Sequence, residues 1–370
     1  MTSVNIPDRD DASTMRRKPN MPTTRPCYHL AIIAYRAPCD LERRIAMISK
    51  WCRWAGAVAI LAAATTACSS DKDGKPASQG TTSAATSSAS KVADSGKFVP
   101  KYERAMASDL AKEGKQAIQD NKVLEDLTDA LGAMYKLPKD IPVIAKECGE
   151  FNAYWDPQNQ SMILCYEMFA VADRYAKMQA AEPANANYMG TTDIFNLYFD
   201  GVTRMITFHE SAHMAINLYS LPATGREEDS ADQLGALVLL TIPGPLGAGS
   251  VAAAADFWFD VSDDPASLDA RTFADEHSLS QVRAYNLECW AYGSQPNVLG
   301  ALVNKPGDPD KKGFLPYQRA AGCPDEYNRM KAAWETLLKP YVKTSLGAPA
   351  GNTPSATPSS SQTHSTTPTR

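Results

Sequence analysis

Two histidines and a glutamate form the pattern His-Glu-x-x-His at His209, Glu210 and His213. Residues four apart on a helix are separated by ~40° around its axis, so both imidazoles can reach one cation. A zinc ion bound by two histidines and a carboxylate keeps one position for water and lowers the pKa of that water. Glu210 can then accept the proton as the water attacks a carbonyl. The motif therefore predicts metal-assisted hydrolysis.

The competing interpretation is that these are ordinary helix histidines beside a solvated carboxylate, which is true of most single histidines. The chain contains only five histidines. A chance match to the motif is therefore expected in fewer than roughly one in a hundred such sequences, although short motifs do give false matches. The flanking sequence has to decide between the two interpretations.

The motif needs a rigid helix, and the sequence predicts one over residues 193–218. Apolar residues recur there at helical spacing, with no proline and with no glycine after Gly201. Thr192 or Asp193 can cap its start, and the residues around Pro222 end it. The motif would then lie in the last third of a long, half-buried helix.

A second helix, predicted over residues 228–240, supplies a third ligand. Glu228 and Asp232 are four residues apart and share a face. Glu228 can complete the metal coordination while Asp232 accepts the free ring N–H of a ligand histidine and so fixes its tautomer. Glu227 is the rival third ligand. The alternative is that these carboxylates only favour the positive end of the helix dipole.

The two helices together resemble those of the gluzincin peptidases, in which His-Glu-x-x-His is followed by Glu-x-x-x-Asp, here Glu228 and Asp232. Asn152 and Ala153, followed by two aromatic residues, resemble the edge strand on which those enzymes hold the substrate. Such a strand pairs with an extended peptide through main-chain hydrogen bonds. The resemblance implies an α+β, zincin-like fold: a mostly helical domain with a small β-sheet or hairpin and an active-site helix. It also implies one Zn²⁺ and a peptide or protein substrate.

Residues 98–340 resemble more closely a bacterial family of metallopeptidases whose function is not established. The shared segments are Cys-Gly-x-x-Asn-Ala from Cys148, the zinc helix, Glu-Glu-Asp-x-Ala-Asp-Gln from Glu227, and Asp-Glu-His-Ser from Asp275. This resemblance indicates a chemistry and leaves the substrate open.

His277 is the only other histidine between residues 98 and 340. By resemblance to gluzincins, a downstream histidine oriented by an aspartate, here Asp275, stabilises the oxyanion formed at the scissile carbonyl. Such a contribution is usually ~3 kcal/mol or more. The alternative is that residues 275–278 cap a helix over residues 281–290. Arg283 and Tyr285 are weaker candidates for the oxyanion role, and we expect them to pack or pair structurally.

The sequence before residue 69 has the layout of a bacterial lipoprotein signal. A basic start is followed by an apolar core from Ala55 to Ala67 and then by Cys68. The thirteen core residues are too few to span a bilayer. The residues before Cys68 resemble a lipobox, with Thr65 in place of the usual leucine. We expect lipidation of Cys68 and an extracytoplasmic protein held at the bacterial cell membrane, with secretion as the alternative. Met47 is an alternative start.

The charge balance argues against a nucleic-acid partner. Residues 1–67 hold ten Lys and Arg and five Asp and Glu, so their removal leaves 27 basic against 37 acidic residues, a net charge of −10. Polyanions bind proteins mainly through Lys and Arg contacts to phosphates.

A signal route exposes thiols to oxidation, and four cysteines remain beyond Cys68, with three possible pairings. We favour Cys148 with Cys165 and Cys289 with Cys323. The first bond would brace the proposed substrate strand and stabilise a loop of that size by ~3 kcal/mol. A thiolate zinc site is the rival interpretation, but it lacks Cys-x-x-Cys spacing.

Composition divides the chain into four segments. We expect residues 1–67 to be an incorrectly assigned extension plus a lipoprotein signal peptide, and residues 68–97 to be the lipidated cysteine and a disordered tether. We expect residues 98–343 to form the zincin-like domain and residues 344–370 to be a disordered Ser/Thr/Pro tail.

Within the predicted domain, residues 102–137 indicate helix and residues 150–164 a hairpin turned at 156–159. Nearly everything after Tyr166 indicates helix. The glycines and prolines of residues 243–249 should break the chain, and the aromatic residues 257–259 should lie in the core.

The function predicted from these residues is a surface-anchored, zinc-dependent peptidase. The first alternative is a catalytically inert zinc-binding lipoprotein that acts as a binding or scaffolding module. The second is a structural surface protein in which the motif is incidental. Glu210 favours the enzyme, because a scaffold needs ligands and no general base.

Overall fold

The computed structural model describes residues 93–346, apart from residues 106, 184, 186–189, 243–244, 263–266, 308–313 and 345. Four strands form one sheet: β1 (Phe98–Tyr102), β2 (Ile141–Lys146), β3 (Ala153–Asp156) and β4 (Ser161–Cys165). Their order is β1-β2-β4-β3. Strand β2 pairs in parallel with both β1 and β4, whereas β3 pairs antiparallel with β4. The segment that follows Asn152 therefore lies at one edge of the sheet.

The hairpin of β3 and β4 follows from local sequence. Trp155 lies opposite Met162 in its register. At the turn, Oδ1 of Asp156 accepts hydrogen bonds from the backbone N–H groups of Gln158 and Asn159, each at 3.0 Å. An aspartate at this place substitutes its carboxylate for a backbone acceptor and so favours the turn.

The prediction of one helix over residues 102–137 is wrong. Strand β1 ends at Tyr102, and two helices follow it, α1 (Asp109–Asp120) and α2 (Val123–Met134). Between them Lys122 has φ 54°, in the left-handed region, which ends the helical path. Strands β1 and β2 escaped prediction because each is stabilised by a partner distant in sequence, and strand propensity depends on that context.

The chain after β4 is mostly helical. The elements are α3 (Tyr166–Ala181), α4 (Thr191–Tyr219), α5 (Glu227–Leu240), α6 (Pro245–Asp260), α7 (Ala270–Phe273), α8 (Ser280–Ser294), a 3₁₀ turn (Gly300–Leu302), β5 (Val303–Asn304), β6 (Leu315–Pro316), α9 (Tyr317–Ala320) and α10 (Cys323–Leu338). The fold is thus mixed α+β, mostly helical with a small sheet. Strands β5 and β6 form a separate parallel pair.

Helix α4 is the long helix that the motif requires. It spans 29 residues, contacts α3, α5, α6 and strand β3, and has most of its side chains buried. The prediction that Thr192 or Asp193 caps it is wrong. The helix begins at Thr191 after Gly190, which has φ 90° and makes no side-chain cap. A glycine reaches this conformation without the steric cost that other residues meet.

Helix α5 packs closely along α4 because residue 235 is a glycine. A Cβ at Gly235 would lie 2.9 Å from Cε of Met205 and 3.2 Å from the backbone nitrogen of His209. The missing side chain therefore lets α5 approach the helix that carries the motif.

The prediction that Gly247 and Gly249 break the chain is wrong, because both lie inside α6. A Cβ at Gly247 would lie only 2.3 Å from the carbonyl oxygen of Leu239, so this glycine permits close helix packing. Phe257, Trp258 and Phe259 near the end of α6 are buried in the core, as expected.

Two disulfides brace the fold. Cys148 is bonded to Cys165, which ties the segment before β3 to the end of β4, with a Cα–Cα distance of 5.5 Å. Cys289 on α8 is bonded to Cys323 at the start of α10, with a Cα–Cα distance of 5.2 Å. These are the two pairings that the sequence favours, and the oxidised sulfurs argue against a thiolate metal site.

The ordered contacts extend slightly beyond the boundaries expected at residues 98 and 343. The backbone N–H groups of Ser95 and Gly96 donate to the carbonyl oxygen of Leu137, each at 2.9 Å. Leu346 is buried. The predicted signal peptide, Cys68, the predicted tether up to residue 92 and the predicted tail beyond residue 346 lie outside the described residues. Among the residues described, the helices are all too short or too polar to cross a membrane.

Candidate metal centre

Helices α4 and α5 bring three donor atoms together. Nε2 of His209 lies 3.2 Å from Nε2 of His213. Oε2 of Glu228 lies 3.0 Å from the first of these nitrogens and 3.2 Å from the second. The four-residue spacing places the two imidazoles one turn apart on α4, and α5 supplies the carboxylate from the first turn of a neighbouring helix. The convergence is thus produced by one local spacing and one helix contact.

Each of these histidines has a second carboxylate on its other ring nitrogen. Nδ1 of His209 lies 2.8 Å from Oδ1 of Asp232, and Nδ1 of His213 lies 2.8 Å from Oε1 of Glu227. In a neutral imidazole, a carboxylate at Nδ1 holds the ring proton there and so leaves Nε2 as the lone-pair donor for a metal. Of the two glutamates that sequence alone offers as third ligand, the structure places Glu228 beside both Nε2 atoms and Glu227 behind His213.

The donor set fits a divalent cation of the zinc type. Ligand distances of ~2.0–2.2 Å place two ligand atoms of a tetrahedral site roughly 3.3–3.6 Å apart. The separations among His209, His213 and Glu228 are 3.0, 3.2 and 3.2 Å. Small outward shifts would therefore accommodate the ion, and two imidazole nitrogens with a carboxylate oxygen are ligands that zinc accepts.

The electrostatics of the cluster also favour a positive charge at this point. Burial is the largest influence on the pKa of His209 and opposes its charged form, but the hydrogen bonds with Asp232 and Glu228 outweigh it and raise the pKa to about 10. Burial acts against the charged form of Glu228 as well, yet hydrogen bonds from His209, His213 and His277 hold the pKa of this carboxyl well below its usual range. A cation at the centre would satisfy the same carboxylates.

A second group of potential ligands consists of Cys148, Cys165 and Glu167. Its two sulfurs are joined in a disulfide, and a metal requires thiolates. The carboxylate of Glu167 instead accepts the backbone N–H groups of Cys148 and Gly149, at 3.2 and 2.8 Å. This group orders the start of the hairpin.

Glu210 lies against both the cluster and the sheet edge. Its Oε2 accepts the backbone N–H of Trp155 on β3, at 3.0 Å, and its Oε1 lies 3.9 Å from Nε2 of His209. The residue is buried, with 6% of its surface exposed. One carboxylate oxygen is thus anchored while the other faces His209, one of the candidate metal ligands. This is a suitable position for a general base, which must lie within hydrogen-bond reach of the attacking water.

Asn152 and Ala153, the predicted substrate-binding residues, lie at the start of β3. Oδ1 of Asn152 accepts the backbone N–H of Ala153, at 2.8 Å, and Nδ2 of Asn152 donates to Oε1 of Glu150, at 3.1 Å. The side chain of Asn152 therefore orders the edge strand in this structure. Trp155 ties the same strand to α4 a second time, because its indole N–H donates to Oδ1 of Asn217 at 3.1 Å.

His277 lies beside the cluster, on the segment between α7 and α8. Its Nε2 is 3.0 Å from Oε2 of Glu228, and its Nδ1 is 3.3 Å from Oδ1 of Asp275. His277 does not belong to the group of donor atoms that all lie within 4.8 Å of one another. The alternative capping role for residues 275–278 is wrong, because α8 begins at Ser280 after Leu279 and has no side-chain cap.

Hydrogen bonds fasten this segment to the start of α5. The guanidinium of Arg226 donates to the carbonyl oxygen of His277 at 3.2 Å, and the hydroxyl of Ser278 donates to Oδ1 of Asp229 at 2.6 Å. The position of His277 is therefore set by the same helix end that supplies Glu228.

Two features of the site have no local signal in the sequence. Arg283 on α8 pairs with Asp232, and the backbone of Trp155 holds Glu210. Both contacts join residues more than fifty positions apart. Arginines are rarely buried without a partner, so a buried arginine indicates an ion pair. Burial is known only once the chain is folded, so the sequence alone does not show it.

Comparisons with known proteins place the chain in a family. Searches of curated proteins and of solved structures find no match. A family model described as "Putative metallopeptidase" matches residues 102–338, which run from the last residue of β1 to the end of α10 and include every residue of the cluster. The candidate donor set has two imidazoles and a carboxylate, with a second, buried carboxylate beside them. This arrangement is consistent with a family of metal-dependent peptidases. The chain belongs to this metallopeptidase family.

Proposed function

We propose that this protein is a zinc-dependent peptidase of the gluzincin type, with a zincin-like catalytic domain. The observation that carries the proposal is the convergence of His209, His213 and Glu228, with Glu210 directly beside them. Zinc held by such a set acts as a Lewis acid and lowers the pKa of a water towards ~7. Membership of a metallopeptidase family supports the same chemistry.

In this proposal the two helices fix the ligands before the metal arrives. Asp232 and Glu227 hold the Nδ1 atoms of the two histidines, which directs both Nε2 atoms to a common point. Preorganised ligands need little rearrangement when the ion binds.

Glu210 is the proposed general base. It accepts a proton from the attacking water through the oxygen that faces the cluster, while the other oxygen stays on the N–H of Trp155. The same carboxyl can then deliver the proton to the leaving amine, as acid–base catalysis of amide hydrolysis requires.

His277 is the proposed stabiliser of the oxyanion, with Asp275 as its orienting partner. Both ring nitrogens face carboxylates, and Nε2 is directed towards the cluster. A histidine in this position can donate a hydrogen bond to a developing negative charge beside the metal ligands.

Strand β3 is the proposed binding edge for the substrate peptide, with Asn152 and Ala153 at its start. It lies at the edge of the sheet and touches Glu210 directly. An extended peptide added to this edge would run past the base and the metal ligands.

The proposed location is the outer side of a bacterial cell membrane, through lipidation of Cys68 and a tether up to the first ordered residues. The two disulfides support an oxidising compartment, because such bonds rarely persist in a reducing cytosol. Metabolic labelling with a clickable fatty acid tests the anchor. Labelled wild type and unlabelled Cys68→Ser are expected, whereas equal labelling of both proteins would reject this anchor.

The catalytic proposal is tested by measuring zinc content and peptide-library cleavage for the wild type, Glu210→Gln and His213→Ala. We expect about one zinc per chain and chelator-sensitive cleavage for the wild type. Glu210→Gln should keep zinc and lose about 10²–10⁴-fold in rate, and His213→Ala should lose the metal. Glu113→Gln, which changes a partly exposed carboxylate paired with Arg174 far along the chain from the cluster, is the control and should match the wild type.

The outcomes separate the alternatives. If the wild type and Glu210→Gln both hold zinc and neither cleaves any peptide, the protein is the inert zinc-binding lipoprotein. If the wild type holds no zinc, both proposals fail and the motif is incidental.

A further inference from the structure

Arg283 makes a two-point contact with Asp232, the carboxylate that lies behind His209. Its Nε donates to Oδ2 of Asp232 at 2.8 Å, and its Nη2 donates to Oδ1 of Asp232 at 2.7 Å. The side chains of Arg283 and Asp232 are 10% and 5% exposed. A paired, planar fork of this kind fixes both the distance and the plane of a carboxylate.

The guanidinium is itself held in place. It lies over the ring of Trp258 on α6, 3.9 Å from the ring centre. Arginine stacks on aromatic faces while its N–H groups stay free to donate at the edge. Trp258 on α6 thus supports Arg283 on α8, which holds the buried carboxylate of Asp232 on α5, the helix that also carries Glu228.

The contact has a direct consequence for the histidine. Oδ1 of Asp232 accepts from Nη2 of Arg283 and also faces Nδ1 of His209, at 2.7 and 2.8 Å. With Oδ2 occupied by Nε of Arg283, rotation of the carboxylate would break two hydrogen bonds in a buried place. Oδ1 therefore stays on Nδ1, and the imidazole keeps its Nε2 directed at Glu228.

We propose that Arg283 is a positioning residue of the metal centre, which acts on zinc affinity through Asp232 and His209 without touching the ion. The inference rests on the proposed zinc site. It goes beyond that site because Arg283 lies on a different helix from every proposed ligand.

A charge effect and a positioning effect of Arg283 have opposite signs. A positive charge near the site repels a cation, so an arginine that acted only as a charge would weaken zinc binding, and its loss would strengthen it. An arginine that aligns the ligand strengthens zinc binding, and its loss weakens it. Arg283→Lys keeps the charge and removes the fork, whereas Arg283→Gln removes both.

The experiment is a competition titration of zinc between the purified protein and a chromophoric chelator. We expect Arg283→Lys to bind zinc about tenfold more weakly than the wild type, the lower end of the range for partners of metal-ligating histidines. Arg283→Gln should also bind more weakly. Near-ultraviolet circular dichroism of the metal-free proteins identifies the variants that fold, and either folded variant suffices for the test.

The matched control is Arg319→Lys. Arg319 makes the same two-point contact with Glu326, at 2.8 and 2.9 Å, and Trp290 donates to the same carboxylate. That pair contains none of the residues of the cluster. The control should lower thermal stability to some extent and leave the zinc affinity within twofold of the wild type.

A double variant tests whether the effect runs through Asp232. In an Asp232→Asn background, Arg283→Lys should change the zinc affinity by less than twofold, because the carboxylate that the fork holds is gone. Independent, multiplied effects would show a different route and overturn the inference.

The remaining outcomes are distinct. If the wild type binds zinc and a folded Arg283→Lys binds it within twofold as tightly, the inference fails and the zinc site stands. Tighter binding by Arg283→Gln likewise rejects positioning in favour of a charge effect. If the wild type binds no zinc, the proposed function fails first.

Discussion

The candidate metal centre has an inner and an outer side, and the same kind of histidine–carboxylate contact occurs on both in different surroundings. The inner side consists of His209, Asp232 and Arg283, and the outer side of His213 and Glu227. In both, Nδ1 of a histidine lies 2.8 Å from a carboxylate oxygen. The side chain of Asp232 is 5% exposed, whereas that of Glu227 is 47% exposed.

The comparison shows that the length of a hydrogen bond does not by itself set its contribution to stability. Removal of Asp232 would leave the guanidinium of Arg283 buried without its carboxylate, which costs the full desolvation of a charge. Water can replace the carboxylate of Glu227, so its removal costs little. Substitutions on the inner side should therefore lower stability and metal affinity strongly, whereas substitutions on the outer side should change them only slightly.

Asp232→Ala should break the inner side and have the largest effect. We expect a loss of about 3–5 kcal/mol in the free energy of unfolding without metal, because one partner of a buried pair is removed. Zinc affinity should fall about 10–100-fold. Urea unfolding and zinc competition measure the two quantities, and a stability loss below about 1 kcal/mol would contradict the assigned role.

Metal removal should affect both sides and sharpen the comparison between variants. Zinc at about 100 times its Kd should stabilise the wild type by about 2.7 kcal/mol, which raises Tm by roughly 5–10 °C. At the same zinc concentration the gain for Asp232→Ala should fall to about 0.4–1.4 kcal/mol, as its weaker affinity dictates. Thermal scans with and without chelator check this, and equal gains for both proteins would argue against the inner side as an affinity determinant.

Gly235→Ala should disturb the inner side from the backbone. The added Cβ would press on Met205 and on the backbone of His209, so we expect a loss of about 1–3 kcal/mol, typical of overpacking, together with weaker zinc binding. Gly132 on α2 is the control, because a Cβ there meets nothing within 4 Å. Gly132→Ala should stabilise by about 0.4–1 kcal/mol. Denaturant unfolding of both variants shows whether their effects have opposite signs.

Glu227→Ala should have the smallest effect. Its contact with His213 is solvent-exposed, and such pairs contribute about 0.2–1 kcal/mol, so zinc affinity should fall by no more than about fivefold. The effect should shrink further in high salt, which screens exposed pairs. A loss as large as that of Asp232→Ala, measured in the same competition titration, would remove the distinction between the two sides.

Much of the candidate site and of the hairpin could be predicted from the spacing of residues along the chain. The positions of His209 and His213 follow from a four-residue step on one helix, and Glu228 and Asp232 follow from the same step on the next. The hairpin and its disulfide depend on Cys148 and Cys165, which are 17 residues apart. Periodicity and short loops are visible in a sequence because they involve near neighbours.

Contacts between segments that are distant in sequence became visible only in the tertiary structure. The sequence favours Glu228 as the third ligand and leaves Glu227 as its rival, and adjacent residues on a helix point ~100° apart. Which one faces the histidines depends on how α5 is rotated against α4, and in this rotation Gly235 lies against Met205 and His209 of α4. The roles of Arg283 and of the Trp155 backbone, and the pairing of β1 with β2, likewise depend on segments that meet only after folding.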